Sequence, residues 1–92
     1  MAASISLAEI IEDLQGIEPK ILEYEKRYRL LSAYFYKLYK AGKLEEKWDF
    51  QNWAGLYEIK QDRLTEYKEK LAEVLPGLPL VDTIEEDFLA NV

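Results

Sequence analysis

The chain has 92 residues, 49% hydrophobic and 33% charged, which is too apolar for a disordered segment, too charged for a membrane protein, and enough for one domain with one core. It holds neither cysteine nor histidine, which removes disulfides, thiolate nucleophiles, the commonest zinc ligands and the usual general base near neutral pH. Its formal net charge is −6, no apolar run approaches the roughly 18 to 20 residues that cross a bilayer, and MAASISLAEII has no basic flank, so a cytoplasmic protein without membrane association is expected.

The first element opens at Ser6, whose hydroxyl can accept an orphan amide while Glu9 reaches back, a capping box. Apolar and aromatic residues then recur at Ile10, Leu14, Ile17, Ile21, Tyr24, Tyr28, Leu31, Phe35 and Leu38 in alternating steps of four and three, a heptad seam that has to be buried against another helix. Gly16 and Pro19 predict a kink or a new start, but the seam keeps its phase across Pro19, which favours one kinked helix. Around Arg29–Ser32 the signals conflict. Ser32 is a candidate cap for a fresh short helix, while the seam through Phe35 and Leu38 argues for no break. Ala41-Gly42 then closes the helical pattern, and Lys43 to Trp48 reads as a loop.

Asp49 is placed as the cap of a second long helix whose seam runs Phe50, Trp53, Tyr57, Lys60, Leu64, Tyr67, Leu71 and Val74, ending at Pro76-Gly77. Helices over 7–31 and 50–75 would each run roughly 37 to 39 Å at about 1.5 Å per residue, and matched lengths predict antiparallel pairing. The predicted fold is all-α: an antiparallel helical hairpin of two long helices, a short helical segment at the turn, and a short C-terminal tail helix capped by Asp82 or Thr83. Its domains are a hairpin, residues 1–75, and an acidic-apolar tail, residues 76–92. Additional apolar residues, Ile11, Leu22, Leu30, Leu56, Ile59 and Leu75, widen the stripes beyond what two helices cover, so an oligomeric bundle, most simply a dimer, is expected.

Charge is segregated along the chain. Residues 1–19 carry four acids and no base, residues 20–43 seven bases against Glu23 and Glu25, residues 44–70 five bases against seven acids, and residues 71–92 five acids and no base. The carboxylates are scattered along helical faces and no glycine-rich loop cradles a phosphate, so neither an enzyme nor a bound cofactor or metal is expected, although a carboxylate-only calcium or magnesium site stays open in principle. The basic run Lys20, Lys26, Arg27, Arg29, Lys37, Lys40 and Lys43 has tyrosines interleaved, but the chain is acidic and lacks a helix-turn-helix or ribbon signature, which argues against nucleic acid.

The partner expected instead is a protein. The aromatics Tyr34, Phe35, Tyr36, Tyr39, Trp48, Phe50, Trp53 and Tyr57 gather near the turn and admit two uses: a small core closing the hairpin, or an anchor patch in which Trp48 and Trp53 contact a partner. The tail likewise reads either as a solvated end or as a segment that folds on a basic partner, with Ile84, Phe88 and Leu89 as anchors and Glu85, Glu86 and Asp87 in a cationic cleft.

The segment Phe35-Tyr36-Lys37-Leu38-Tyr39-Lys40-Ala41-Gly42-Lys43-Leu44, followed by Trp48-Asp49-Phe50-Gln51-Asn52-Trp53-Ala54-Gly55-Leu56-Tyr57-Glu58, resembles small prokaryotic antitoxin-like helical proteins over about a quarter of the chain. The shared pattern is one of packing and caps: a Phe-Tyr helix, an Ala-Gly stop, then an Asp-Phe-x-x-Trp-Ala-x-Leu-Tyr helix. The chain departs from it in having Arg29-Leu30 where a glycine is expected before the short helix, and in the tail after Pro76. The resemblance implies a cytoplasmic protein that neutralises a partner toxin, often nuclease-like, by direct contact, and the chain's own acidic charge would suit a basic one. A structural or assembly subunit of a helical complex is the alternative.

Overall fold

In a computed structural model of the protein, which describes residues 6–79, every regular element is helical: α1 (Leu7–Tyr28), α2 (Ser32–Lys40), α3 (Trp48–Val74) and a single 3-10 turn at Leu75–Gly77. No strand occurs among the described residues.

The serine half of the capping box forms as read, while Glu9 reaches back to the Ser6 hydroxyl. Ser6 Oγ accepts from the Glu9 amide at 3.2 Å and donates to the Glu9 carboxylate at 3.2 Å. From there α1 is one unbroken helix through Gly16 and Pro19, so no new helix starts there.

The seam does stop at the contested corner. Arg29 takes a left-handed φ of 53°, and the Glu25 carbonyl accepts from the amides of both Arg29 and Leu30, a helix-closing turn of the kind that usually employs glycine. Three residues later α2 begins, and its end is capped from the preceding helix: the Glu25 carboxylate accepts from the Ser32 amide at 2.9 Å and from Ser32 Oγ at 2.7 Å. Ser32 is thus the first residue of α2 and is itself held, rather than acting as the cap. Because the chain turns here, Leu31 and Leu38 fall out of the predicted seam and are 61% and 38% exposed, while Phe35 stays in the core.

The same closing turn recurs at the end of α2. There Gly42 has a φ of 68°, and the Lys43 amide donates to the Leu38 carbonyl at 3.0 Å. After the connection 43–47, α3 starts two residues earlier than the sequence suggests, at Trp48, which reads as loop. Lys47 occupies the capping position without a side-chain hydrogen bond, and Asp49 lies inside the first turn, where its carboxylate faces α1 instead of the helix's own amides.

Five polar contacts fix how α1 meets α3. Arg63 binds Asp13 at 2.8 Å, Lys60 binds Glu18 at 3.0 Å, Asn52 donates to the Tyr24 hydroxyl at 2.8 Å, and Asp49 accepts from Arg27 at 3.0 Å and from the Tyr28 hydroxyl at 2.6 Å. Advancing along α1 therefore means retreating along α3. Lys60, the one polar position in the second seam, is accounted for by Glu18 at its own level. The buried apolar residues are Ile10, Ile21, Tyr24, Phe35, Trp53 and Ala54, the last four of which form one cluster.

Candidate functional site: the aromatic corner and Trp48

The corner where α1, α2 and α3 meet is built around one ring. Trp53 is wholly buried, stacks on Phe35 at a centroid distance of 3.7 Å and an interplanar angle of 5°, and is flanked by Tyr24 at 5.6 Å and Tyr28 at 5.9 Å. Phe50 closes the group against Tyr28 at 5.1 Å and Phe35 at 5.7 Å, and Tyr36 meets Tyr57 at 5.0 Å. The polar atoms of these rings are matched: Trp53 Nε1 donates to Ser32 Oγ at 2.9 Å, Tyr28 to Asp49 at 2.6 Å, and Tyr36 to Glu58 at 2.7 Å. Of the two uses left open for the aromatics, most serve the core, and Trp53, a predicted partner contact, is inside it with no surface to offer. The residue missed by the seam is Ala54, buried at 2% exposure, a small side chain beside Trp53 that heptad counting passes over.

The electrostatics of the corner follow from those bonds. Asp49 is held below the usual carboxylate range, first by the Tyr28 hydroxyl and then by Arg27, against desolvation that pushes it up. Conversely, the Tyr28 and Tyr36 hydroxyls are raised above the usual phenol value, chiefly because each donates to a carboxylate, Asp49 and Glu58. These partners hold side chains in place. They do not assemble a nucleophile and a base.

Two open clefts flank the corner, of about 380 Å³ between Tyr39, Leu44, Lys47 and Gln51, and about 420 Å³ between Tyr36, Tyr57, Glu58 and Gln61. Among the described residues no three carboxylates gather closely enough to hold a metal ion, and no helix is long and apolar enough to cross a membrane.

Trp48 stands apart from the core at 71% exposure, the most exposed large hydrophobic residue among those described. Its backbone is nonetheless well anchored, because the next residue, Asp49, is bound to both Arg27 and Tyr28 on α1. Ile59, eleven residues or about three turns further along α3, shares its row and is 45% exposed. The remaining predicted contacts, Ile84, Glu85, Glu86, Asp87, Phe88 and Leu89, lie outside the described residues. Comparison with protein-family models, with curated proteins and with solved structures gives no match.

Proposed function

We propose that the chain is a non-catalytic protein-binding module, an antiparallel helical hairpin of α1 and α3 with α2 at its turn, and that it acts as an antitoxin-like inhibitor in the cytoplasm, neutralising a basic protein by direct contact. The observation that carries this reading is Trp48. A large aromatic held out in solvent on an anchored helix start loses little side-chain freedom on binding and offers much apolar area, the properties of an interface anchor. Acidic net charge suits a cationic partner by steering its approach, and the resemblance over residues 35–58 points to the same class.

The test is genetic and direct. Reading frames adjacent to the gene are expressed alone and with this chain; one of them is expected to arrest growth, the chain to relieve the arrest, and Trp48→Ala to relieve it poorly while keeping its helix content. If no neighbouring frame is toxic, or Trp48→Ala protects as well as the natural chain, the reading fails. A second reading, an assembly subunit without inhibitory role, is favoured by a different observation: exposed apolar residues are spread over all three helices, including Ile11 and Leu22 on α1, Tyr34 and Leu38 on α2, and Ile59 and Leu64 on α3.

A further inference from the structure

Two exposed apolar rows lie away from Trp48. On α2 and its entry, Leu31, Tyr34 and Leu38 follow one another at spacings of three and four, so they share a flank of the helix, and they are 61%, 60% and 38% exposed. On α1, Ile11 and Leu22 are eleven residues apart, about three turns, and are 40% and 44% exposed.

The contacts between α1 and α3 also divide the charge of the described residues. Residues 6–19 and 62–79 lie at one end, as the Asp13–Arg63 pair shows, and hold eight acids against three bases. Residues 20–61 form the other end, as the Arg27–Asp49 pair shows, and hold nine bases against six acids. One end is thus −5 and the other +3. Little of the positive charge is used internally: Lys20, Lys26, Arg29, Lys37, Lys40, Lys43 and Lys47 form no ion pair with the described residues.

We infer that these rows are covered by a second copy of the chain, placed side by side and head to tail, so that the basic end of each copy lies against the acidic end of the other. A two-fold axis makes such contacts reciprocal, the α2 row of each copy meeting the α1 row of its partner. Charge decides the direction. Copies aligned the same way would set +3 against +3 and −5 against −5, whereas opposite alignment makes both ends attractive. The inference uses residues distinct from Trp48 and stands independently of the inhibitor reading.

The experiment uses the full chain, whose lack of cysteine lets one be introduced at will. Light scattering at low salt should give twice 10.8 kDa, with dissociation on dilution and on adding salt. Leu38→Glu, at an exposed site, should weaken the dimer roughly tenfold or more while circular dichroism stays unchanged. Spin labels at Lys43→Cys should lie far apart within a dimer, while a label at Lys43→Cys in one copy should approach one at Glu69→Cys in the other. As an independent arm, Lys37→Glu/Lys40→Glu and Glu9→Lys/Glu12→Lys should each dimerise poorly alone and recover when mixed. A monomer at every concentration, a Lys43–Lys43 distance shorter than the Lys43–Glu69 one, or a mixture that fails to recover would overturn the inference.

Discussion

Ser32 and Trp53 are joined by a fully buried hydrogen bond, in which the indole Nε1 donates to the serine Oγ at 2.9 Å while that hydroxyl donates onward to Glu25 at 2.7 Å. One small polar side chain therefore links all three helices. Ser32→Ala removes it and leaves a buried indole donor and part of the Glu25 carboxylate unmatched. A loss of about 1–3 kcal/mol is expected in urea unfolding, against about 3–5 kcal/mol for Trp53→Ala, which also empties the stack. A change of a few tenths in Ser32→Ala would show that water replaces the hydroxyl without loss.

The two helix-closing turns give a paired prediction. Gly42 and Arg29 occupy equivalent left-handed positions, and a β-carbon at Gly42 would touch nothing within 4 Å, so any cost there is conformational. The left-handed conformation costs a non-glycine residue about 1–2 kcal/mol, partly returned by its stiffer unfolded chain. Gly42→Ala should therefore destabilise by about 1 kcal/mol, and Arg29→Gly should stabilise by about 0.5–1 kcal/mol. Thermal midpoints moving in the same direction in the two variants would contradict this.

The Tyr28–Asp49 bond predicts how stability responds to pH. Asp49 is lowered in the folded protein, so its contribution is present above its unfolded pKa, about 3.9, and disappears as pH falls through the folded value. Tyr28 is raised, so its contribution is present below about 10 and disappears as pH rises through its folded value. The stability gap between the natural chain and Tyr28→Phe should be widest near neutrality and close at both extremes. Denaturant midpoints across the pH range check this, and a gap independent of pH would sever the link.

For the proposed basic partner, the acidic tail is expected to act in two separable ways. Charge reversal of Glu85, Glu86 and Asp87 should slow association mainly at low salt, whereas Phe88→Ala should speed dissociation at any salt and cost roughly 1 to 3 kcal/mol. Truncation at Pro76 that left affinity unchanged would assign binding wholly to the helices around Trp48.

Periodicity made the helices legible. Ser6 with Glu9, Gly42, and Pro76-Gly77 are local signals, and each ends or begins an element within a residue of where it is read. The corner after Tyr28 was ambiguous because its two determinants are not local. Arg29 gives no sign of a left-handed backbone, and the cap of α2 is Glu25, seven residues before the serine it holds. Asp49 was misassigned for the same reason, since its partners Arg27 and Tyr28 come from another helix. At the candidate site, composition flagged both tryptophans as special, but only the fold separates Trp53 in the core from Trp48 outside it, because five residues along a helix turn a side chain to another face.

That separation makes the chain a two-colour reporter of its own behaviour. With just two tryptophans, one wholly dry and one 71% exposed, intrinsic fluorescence divides into a blue component that shifts only when the core opens and a red component that shifts only when the surface is covered. An aqueous quencher reaches the second and not the first. Unfolding and docking thus leave different optical traces in the unlabelled natural protein, and Trp48→Phe or Trp53→Phe assigns each trace to its residue.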